Sequence, residues 1–165
     1  YTPYMTRMGI GEVAAGLGLG LLPVLGAAVV QGGHVGAGAV AAGVPAFFMT
    51  FNLLFLNEFP DEAADRAGGR RNLVLLLGRL RAARLYLAAA ALGVASIPAA
   101  VALGLLPVWS LAAVLPGFAL VPAVRWASGS PTAAVPLAAL GGNVVWNLAT
   151  NALLAVGFAV AAATR

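Results

Sequence analysis

Five long apolar runs constrain this chain more than any other feature of its sequence. They cover about residues 13–30, 35–56, 85–106, 108–124 and 136–163. Each is close to the roughly 20 residues that an α-helix needs to cross a bilayer, and none alternates polar and apolar residues as a strand would. Charged residues make up only 8% of the 165, against about 25% in a soluble domain. The sequence therefore predicts an all-α, polytopic transmembrane helix bundle of about five spanning helices, with residues 1–165 as a single domain.

The composition excludes several kinds of site and indicates a topology. There is no cysteine and only one histidine, His34, which excludes thiol catalysis and Cys- or His-rich metal sites. The net charge of +4 comes from arginines near the ends of the apolar runs, so we expect no nucleic-acid partner. Placing residues 57–84 in the cytoplasm leaves Arg165 as the only arginine outside. This distribution predicts that 57–84 is a cytoplasmic Asp-rich loop, and we expect an integral protein of a bacterial or archaeal plasma membrane.

This loop holds most of the acidic residues of the chain. Four of the five acids lie there: Glu58, Asp61, Glu62 and Asp65. Pro60 ends or kinks the second helix, and if a short helix restarts after it, Asp61 and Asp65 share one face. Two such carboxylates repel each other unless a cation lies between them. Mg²⁺ prefers oxygen ligands, commonly one or two carboxylates together with substrate phosphates, so the spacing favours a Mg²⁺ site on Asp61 and Asp65.

Groups that suit a phosphate surround the aspartates. Asn57 adds an amide oxygen on the same side, and Arg66, Arg70 and Arg71 supply fork-shaped donors for phosphate oxygens. A site of this kind beside an apolar bundle suits a substrate with a diphosphate head and a hydrocarbon tail. A solvated loop is the alternative, because Glu62 and Arg66 form an ordinary i,i+4 pair. The spacing alone leaves both interpretations open.

A longer pattern is more specific. It reads Asn57-x-x-x-Asp61-x-x-x-Asp65-Arg66-x-x-Gly69-Arg70-Arg71-x-Leu73, followed by Leu77-Gly78. This string resembles the second aspartate-rich motif of the UbiA superfamily of intramembrane prenyltransferases. It is most similar to the menaquinone branch, the 1,4-dihydroxy-2-naphthoate polyprenyltransferases. Residues 9–12, Gly-Ile-Gly-Glu, are similar to the start of the family's fifth helix. Pro60, Arg70 and Asn72 depart from the family pattern, since they stand where Arg, Lys and Thr are usual.

The resemblance implies a fold and an activity. The chain corresponds to the second half of a UbiA fold of about nine helices. Family members bind a prenyl diphosphate through Mg²⁺, and an aromatic acceptor attacks the allylic cation that forms on ionisation. Asp61 and Asp65 match the metal-binding, catalytic aspartates, Asn57 matches the leading asparagine, and Arg70 matches a basic position that meets the diphosphate. The implied role is Mg²⁺-dependent transfer of a polyprenyl group to a dihydroxynaphthoate-like acceptor in quinone biosynthesis.

The family mechanism also needs a first aspartate-rich motif, which this sequence lacks. Outside the block the only acid is Glu12, so no second acidic cluster is expected. We therefore expect a missing N-terminal half that carries the first motif, upstream in a longer chain or on a split partner, and no activity of this chain alone. Hydroxybenzoate, haem, chlorophyll-like rings and glyceryl phosphate are the other acceptors considered. The alternative function is a non-catalytic membrane partner subunit or a small transporter.

Two stripes of side chains follow helical spacing. The first is aromatic and comprises Phe47, Phe51, Phe55 and Phe59. The second is polar and comprises Asn143, Asn147 and Asn151. The aromatic stripe could shelter an isoprenoid or a carbocation, and the polar stripe could line an acceptor cavity. We favour the simpler interpretations, which are packing for the phenylalanines and hydrogen bonds between helices for the asparagines.

Overall fold

The computed structural model describes residues 8–164, and every regular element in that range is helical. The helices are α1 (Gly11–Gly32), α2 (Ala37–Asn57), α3 (Glu62–Ala67), α4 (Leu73–Leu77), α5 (Arg79–Ala102), α6 (Val108–Gly129) and α7 (Leu137–Ala163). Five of them, α1, α2, α5, α6 and α7, are long and apolar enough to cross a membrane, which confirms the five predicted spans. The third span begins at Arg79 and not near residue 85, because the arginine-bearing segment is already helical.

Two of the spanning helices are not regular α-helices. In α1, the glycine-rich segment Gly16–Leu21 is π-helical. In α6, the first thirteen residues, Val108–Leu120, form a 3₁₀-helix, and Val121–Gly129 continues as an α-helix. Runs of 3₁₀-helix longer than three or four residues are uncommon, so neighbouring helices must stabilise this one.

Close packing between α6 and α7 provides that support. A Cβ atom on Gly142 of α7 would meet the backbone carbonyl of Ala119 on α6, and one on Gly157 would meet the backbone of Ser110. Since Gly142 lies beside the end of the 3₁₀ segment and Gly157 beside its start, the two helices run antiparallel. Glycine at both positions lets the backbones touch, as is common between membrane helices.

The polar segments gather at one end of the bundle. Arg79, at the start of α5, donates to the carbonyl oxygens of Pro131 (2.9 Å) and Ala133 (2.8 Å) in the α6–α7 connection and to that of Phe59 (3.1 Å). Its guanidinium also lies 5.5 Å from the centre of the Phe59 ring. Arg79 therefore joins the α6–α7 connection to the segment that follows α2. We refer to this end of the bundle as the polar end. Which side of the membrane it faces stays a prediction, and Arg7 and Arg165, which enter that argument, lie outside the described residues.

Candidate functional site

The chain makes a sharp break at the polar end and then restarts as a helix. α2 ends at Asn57, residues 58–61 form a turn through Pro60, and α3 follows with Asp61 at its N-cap position. The Asp65 amide donates to the Asp61 carbonyl at 2.8 Å, so the two residues lie one helical turn apart. The predicted end of the second helix near Pro60 is confirmed, and the short helix on which the shared face of Asp61 and Asp65 depends is present. The two carboxylates have different surroundings, however, because Asp61 is exposed and Asp65 is only 7% exposed.

Asp65 is held by two side chains from the segment that follows α3. Arg70 donates to its Oδ1 at 3.1 Å, and Asn72 donates to its Oδ2 at 2.8 Å. Gly69 has φ +68°, in the left-handed region where glycine is favoured, and this turn directs the chain back toward Asp65. Each carboxylate oxygen accepts one bond here and has capacity for another. The Asp65 carboxylate is therefore fixed in orientation, and each of its oxygens can still accept a further bond.

The other predicted site residues lie around this contact. Arg71 is exposed but lines the same small cavity as Asp65 and Arg70. Asn57 is exposed and donates to the Leu53 carbonyl of its own helix at 2.6 Å. Arg66 is 70% exposed and pairs with Glu62 at 3.1 Å, the surface pair that the solvated-loop interpretation predicts. The structure thus brings Asp65, Arg70 and Arg71 together and gives Asn57 and Arg66 partners on their own helices.

Sequence reasoning missed Glu12, which the fold brings into the site from α1. Its side chain is fully buried, and Oε1 accepts a hydrogen bond from the Leu73 amide at 2.6 Å. It lines a cavity of about 10 Å³, roughly the space of one water molecule, together with Glu58 and Asp65. Glu12 lies outside the acidic block in sequence but joins it in space. A lone acid at the start of an apolar span was the available signal, since such residues usually face the bundle interior.

Glu58 is buried, although it belongs to the charged block. It is 7% exposed, and burial raises the pKa of its carboxyl from 4.5 to about 10. Hydrogen bonding and charge from Glu12, and the charge of Asp65, raise the pKa further, while Arg70 opposes them. Glu58 is therefore neutral near pH 7. The formal charge of the block is smaller than the sequence indicates.

The donor set can be compared with what Mg²⁺ requires. Within residues 8–164, no three His, Cys, Asp or Glu side chains converge at metal-binding distance. The groups available are oxygen donors, and Asp61 and Asp65 provide at most two carboxylate ligands from adjacent turns. This fits Mg²⁺, which keeps several waters and is commonly bound by one or two carboxylates and substrate phosphates. It does not fit a metal that needs a complete cage of protein ligands.

The phenylalanine stripe is a packed ladder. Successive rings lie 5.4 Å apart between Phe51 and Phe55 and 5.7 Å apart between Phe55 and Phe59, and Phe59 packs edge-on against Trp126 at 4.9 Å. Phe55 and Phe59 are almost fully buried, which confirms the packing interpretation for them. Phe47 and Phe51 also line a cavity of about 110 Å³ between α2 and α5.

The asparagine stripe divides into two parts. Asn143 is buried, donates to the Asn52 carbonyl at 2.8 Å and accepts a hydrogen bond from the Tyr86 hydroxyl at 3.4 Å, so the interhelical interpretation is confirmed for it. Asn147 and Asn151 bond to each other and line a separate cavity of about 440 Å³ between α1, α2 and α7. The residues that line this cavity are not those around Asp65.

Comparison with known proteins gives one match. The model of the UbiA prenyltransferase family matches residues 1–131, which include the whole charged block and α1 to α6. No curated protein and no solved structure matches the chain.

Proposed function

The chain belongs to the UbiA prenyltransferase family, and we propose that it supplies the second aspartate-rich motif of a Mg²⁺-dependent intramembrane prenyltransferase. The observation that carries the proposal is the family match, which covers residues 1–131 of the 165. Within that match, the pattern from Asn57 to Gly78 contains charged residues suited to binding Mg²⁺ and a diphosphate. The five spanning helices support a reaction within the bilayer.

The proposed substrates are a prenyl diphosphate and an aromatic acceptor, of which a dihydroxynaphthoate-like ring suits the motif best. In the reaction, the bond between the allylic carbon and the diphosphate oxygen breaks, and a carbon–carbon bond forms to the aromatic ring. The ring loses a proton, or carbon dioxide where a carboxyl group occupies the attacked carbon. Inorganic diphosphate leaves with the electron pair of the broken bond. A prenyl tail suits the apolar bundle, and a diphosphate suits the polar end.

Asp61 and Asp65 would hold the Mg²⁺ ion, which supplies positive charge to offset the charge of the departing diphosphate. Asp65 is suited to this role because Arg70 and Asn72 fix its carboxylate while leaving acceptor capacity. Asp61 is exposed at the start of α3, where it is accessible to a hydrated ion.

The arginines of the block bind and orient the diphosphate in this proposal. Arg70 already donates one N–H to Asp65 and has further donors for phosphate oxygens. Arg71 is exposed beside it, and Arg66 and Asn57 are exposed on the preceding turns. Guanidinium groups bind phosphate oxygens in pairs of parallel hydrogen bonds, which is why several arginines suit a substrate with two phosphate groups.

A complete site needs more acidic ligands than this sequence contains. All five acids gather at the polar end: Glu12, Glu58, Asp61, Glu62 and Asp65. We propose that the first aspartate-rich motif comes from a complementary N-terminal half, on the same polypeptide or on a partner. The catalytic unit is then the assembly of both halves, and the 165 residues alone are inactive.

Co-expression with such a half tests the proposal. Membranes that contain both halves should transfer a prenyl group to a dihydroxynaphthoate in the presence of Mg²⁺, and Asp61→Asn or Asp65→Asn should abolish the transfer. Gln31→Ala, an exposed polar substitution at the opposite end of α1, is the control and should leave it unchanged. Near-normal turnover by either aspartate variant would refute the assignment. Prenylation by the 165 residues alone would refute the need for a second half.

A non-catalytic partner subunit is the second candidate. One observation favours it, namely that both oxygens of Asp65 already accept hydrogen bonds within the chain. Binding of a radiolabelled prenyl diphosphate to the co-expressed assembly of both halves, with and without Mg²⁺, distinguishes the two. Mg²⁺-dependent binding that Asp65→Asn removes supports the enzyme. Equal binding of the prenyl diphosphate with and without Mg²⁺, and by wild type and Asp65→Asn, supports the partner subunit.

A further inference from the structure

One chain of hydrogen bonds connects α1 to Asp65. Glu12 accepts from the Leu73 amide at 2.6 Å. The adjacent residue, Asn72, donates to Asp65 at 2.8 Å and accepts from the Leu75 amide at 2.8 Å, which caps α4. Glu12 thus binds the segment that orients Asp65, although Glu12 and Leu73 are 61 positions apart in sequence.

We propose that Glu12 is a positioning residue for this site, which fixes the Asp65 carboxylate through the Asn72–Leu73 segment and is itself held by Glu58. That Asp65 binds Mg²⁺ rests on the proposed function. That Glu12 helps to fix the Asp65 carboxylate rests on the hydrogen bonds alone. Glu12 acts through other residues and takes no part in the chemistry. Its side chain is fully buried, so water does not compete for the Leu73 amide.

Glu58 is assigned as the holder of Glu12 because of two buried oxygens. Oε2 of Glu12 and Oε2 of Glu58 are both buried and lack a hydrogen-bond partner among the described residues, and both side chains line the same small cavity. A buried carboxylate oxygen without a partner is costly, so each of these two oxygens needs one. A single proton shared by the two carboxyl groups, directly or through one water, satisfies both oxygens.

The size of the cavity decides between a proton and a metal ion. About 10 Å³ holds one water molecule at most. Mg²⁺ retains several waters and demands near-octahedral geometry, for which there is no room here. The raised pKa of Glu58 agrees with a neutral carboxyl at this position. The Glu12–Glu58 pair is therefore a link between α1 and the loop and not itself a Mg²⁺ site, although Asp65 lines the same cavity.

Amide replacements test the proposal, because glutamine can imitate a protonated glutamate. Glu12→Gln keeps an oxygen for the Leu73 amide and gains an N–H for Glu58, and Glu58→Gln keeps a donor for Glu12. Glu12→Ala loses both contacts. Hydrogen exchange at the amides of residues 72–77 is measured on the full chain in lipid bicelles, with Gln31→Ala as the control on the same helix.

We expect Glu12→Ala to accelerate exchange at Leu73 by about tenfold to a hundredfold, as for loss of a charge-assisted hydrogen bond. In the assembled enzyme it should raise the half-saturating Mg²⁺ concentration for the folded fraction. Glu12→Gln and Glu58→Gln should stay within about threefold of the wild type in both measurements.

If the Leu73 amide exchanged as slowly in Glu12→Ala as in the wild type, the proposed role of Glu12 in holding this segment would be overturned. A Glu12→Gln variant whose Leu73 exchange is accelerated well beyond about threefold over the wild type would overturn the proton-sharing pair, and this comparison does not need the alanine variant to fold. A drop in folded yield with an unchanged Mg²⁺ half-saturation would show that Glu12 is only structural, and would overturn its positioning role. Absence of Mg²⁺-dependent transfer in every variant contradicts the proposed function alone, since the exchange measurement needs no activity.

Discussion

Asn72 makes two contacts that can be removed one at a time. Its Oδ1 caps α4 by accepting from the Leu75 amide, and its Nδ2 donates to Asp65. Asn72→Ser keeps the cap, because serine is a good N-cap residue, but is too short to reach Asp65. Asn72→Ala removes both contacts. The pair of variants therefore separates the cap from the bond to the carboxylate.

The expected losses follow from the burial of both partners. Asn72 is 6% exposed and Asp65 is 7% exposed, so water replaces the lost bond poorly. A hydrogen bond to a charged group contributes about 1.5–3 kcal/mol to the free energy of unfolding, and an N-cap contributes about 1 kcal/mol. We expect a loss of about 1.5–3 kcal/mol for Asn72→Ser and about 2.5–4 kcal/mol for Asn72→Ala.

Reversible unfolding in mixed micelles provides the measurement. Tryptophan fluorescence is a suitable signal, because Trp126 packs against Phe59 at the same end of the bundle. Ser128→Ala is the control, since the partners of this exposed hydroxyl among residues 8–164 are carbonyls of its own helix. A Ser variant as stable as the wild type would refute the role of the Asp65 bond. Equal stability of the Ser and Ala variants would refute the role of the cap.

Three further predictions concern packing, pH and the polar end. Gly142→Ala should destabilise the folded protein because its Cβ would meet the Ala119 carbonyl, whereas Gly141→Ala, which faces open space, should not; thermal midpoints in detergent compare them. Since the pKa of Glu58 is raised from 4.5 to about 10 on folding, the contribution of this carboxyl to stability should be greatest at pH 4.5 and below, and should fall as pH rises toward 10. Glu58→Gln should flatten that dependence, and parallel curves for the two proteins would contradict the assignment. Arg79→Lys should lose the bonds to carbonyls on two loops and increase proteolysis of the α6–α7 connection; unchanged cleavage would argue against this role.

The sequence was sufficient for features that depend on neighbouring residues. Long apolar runs predicted all five spans, and Pro60 predicted the end of the second helix. The i,i+4 spacing of Glu62 and Arg66 predicted their surface pair. Each of these features follows from helix geometry over a few residues.

Contacts between residues far apart in the chain could not be predicted from the sequence. Glu12 reads as an isolated acid, and its contact with Leu73 depends on how α1 docks against the loop. In the sequence, Arg79 indicates only which side of the membrane the loop faces. In the structure, its guanidinium binds carbonyl oxygens of the α6–α7 connection, which a count of charges cannot reveal. Glu58 belongs to the charged block, and its neutral state depends on burial beside Glu12. In each case the partner comes from another helix or loop, whose register no local pattern encodes.

The 3₁₀ segment of α6 has a consequence for how the bundle matches the thickness of a bilayer. Thirteen residues at about 2.0 Å and nine at about 1.5 Å give α6 a height of about 40 Å. The 27 residues of α7 at about 1.5 Å also reach about 40 Å. As a regular α-helix, the 22 residues of α6 would reach only about 33 Å and leave one end of α7 without its neighbour. The winding of α6, and not its residue count, makes the two antiparallel helices equal in height.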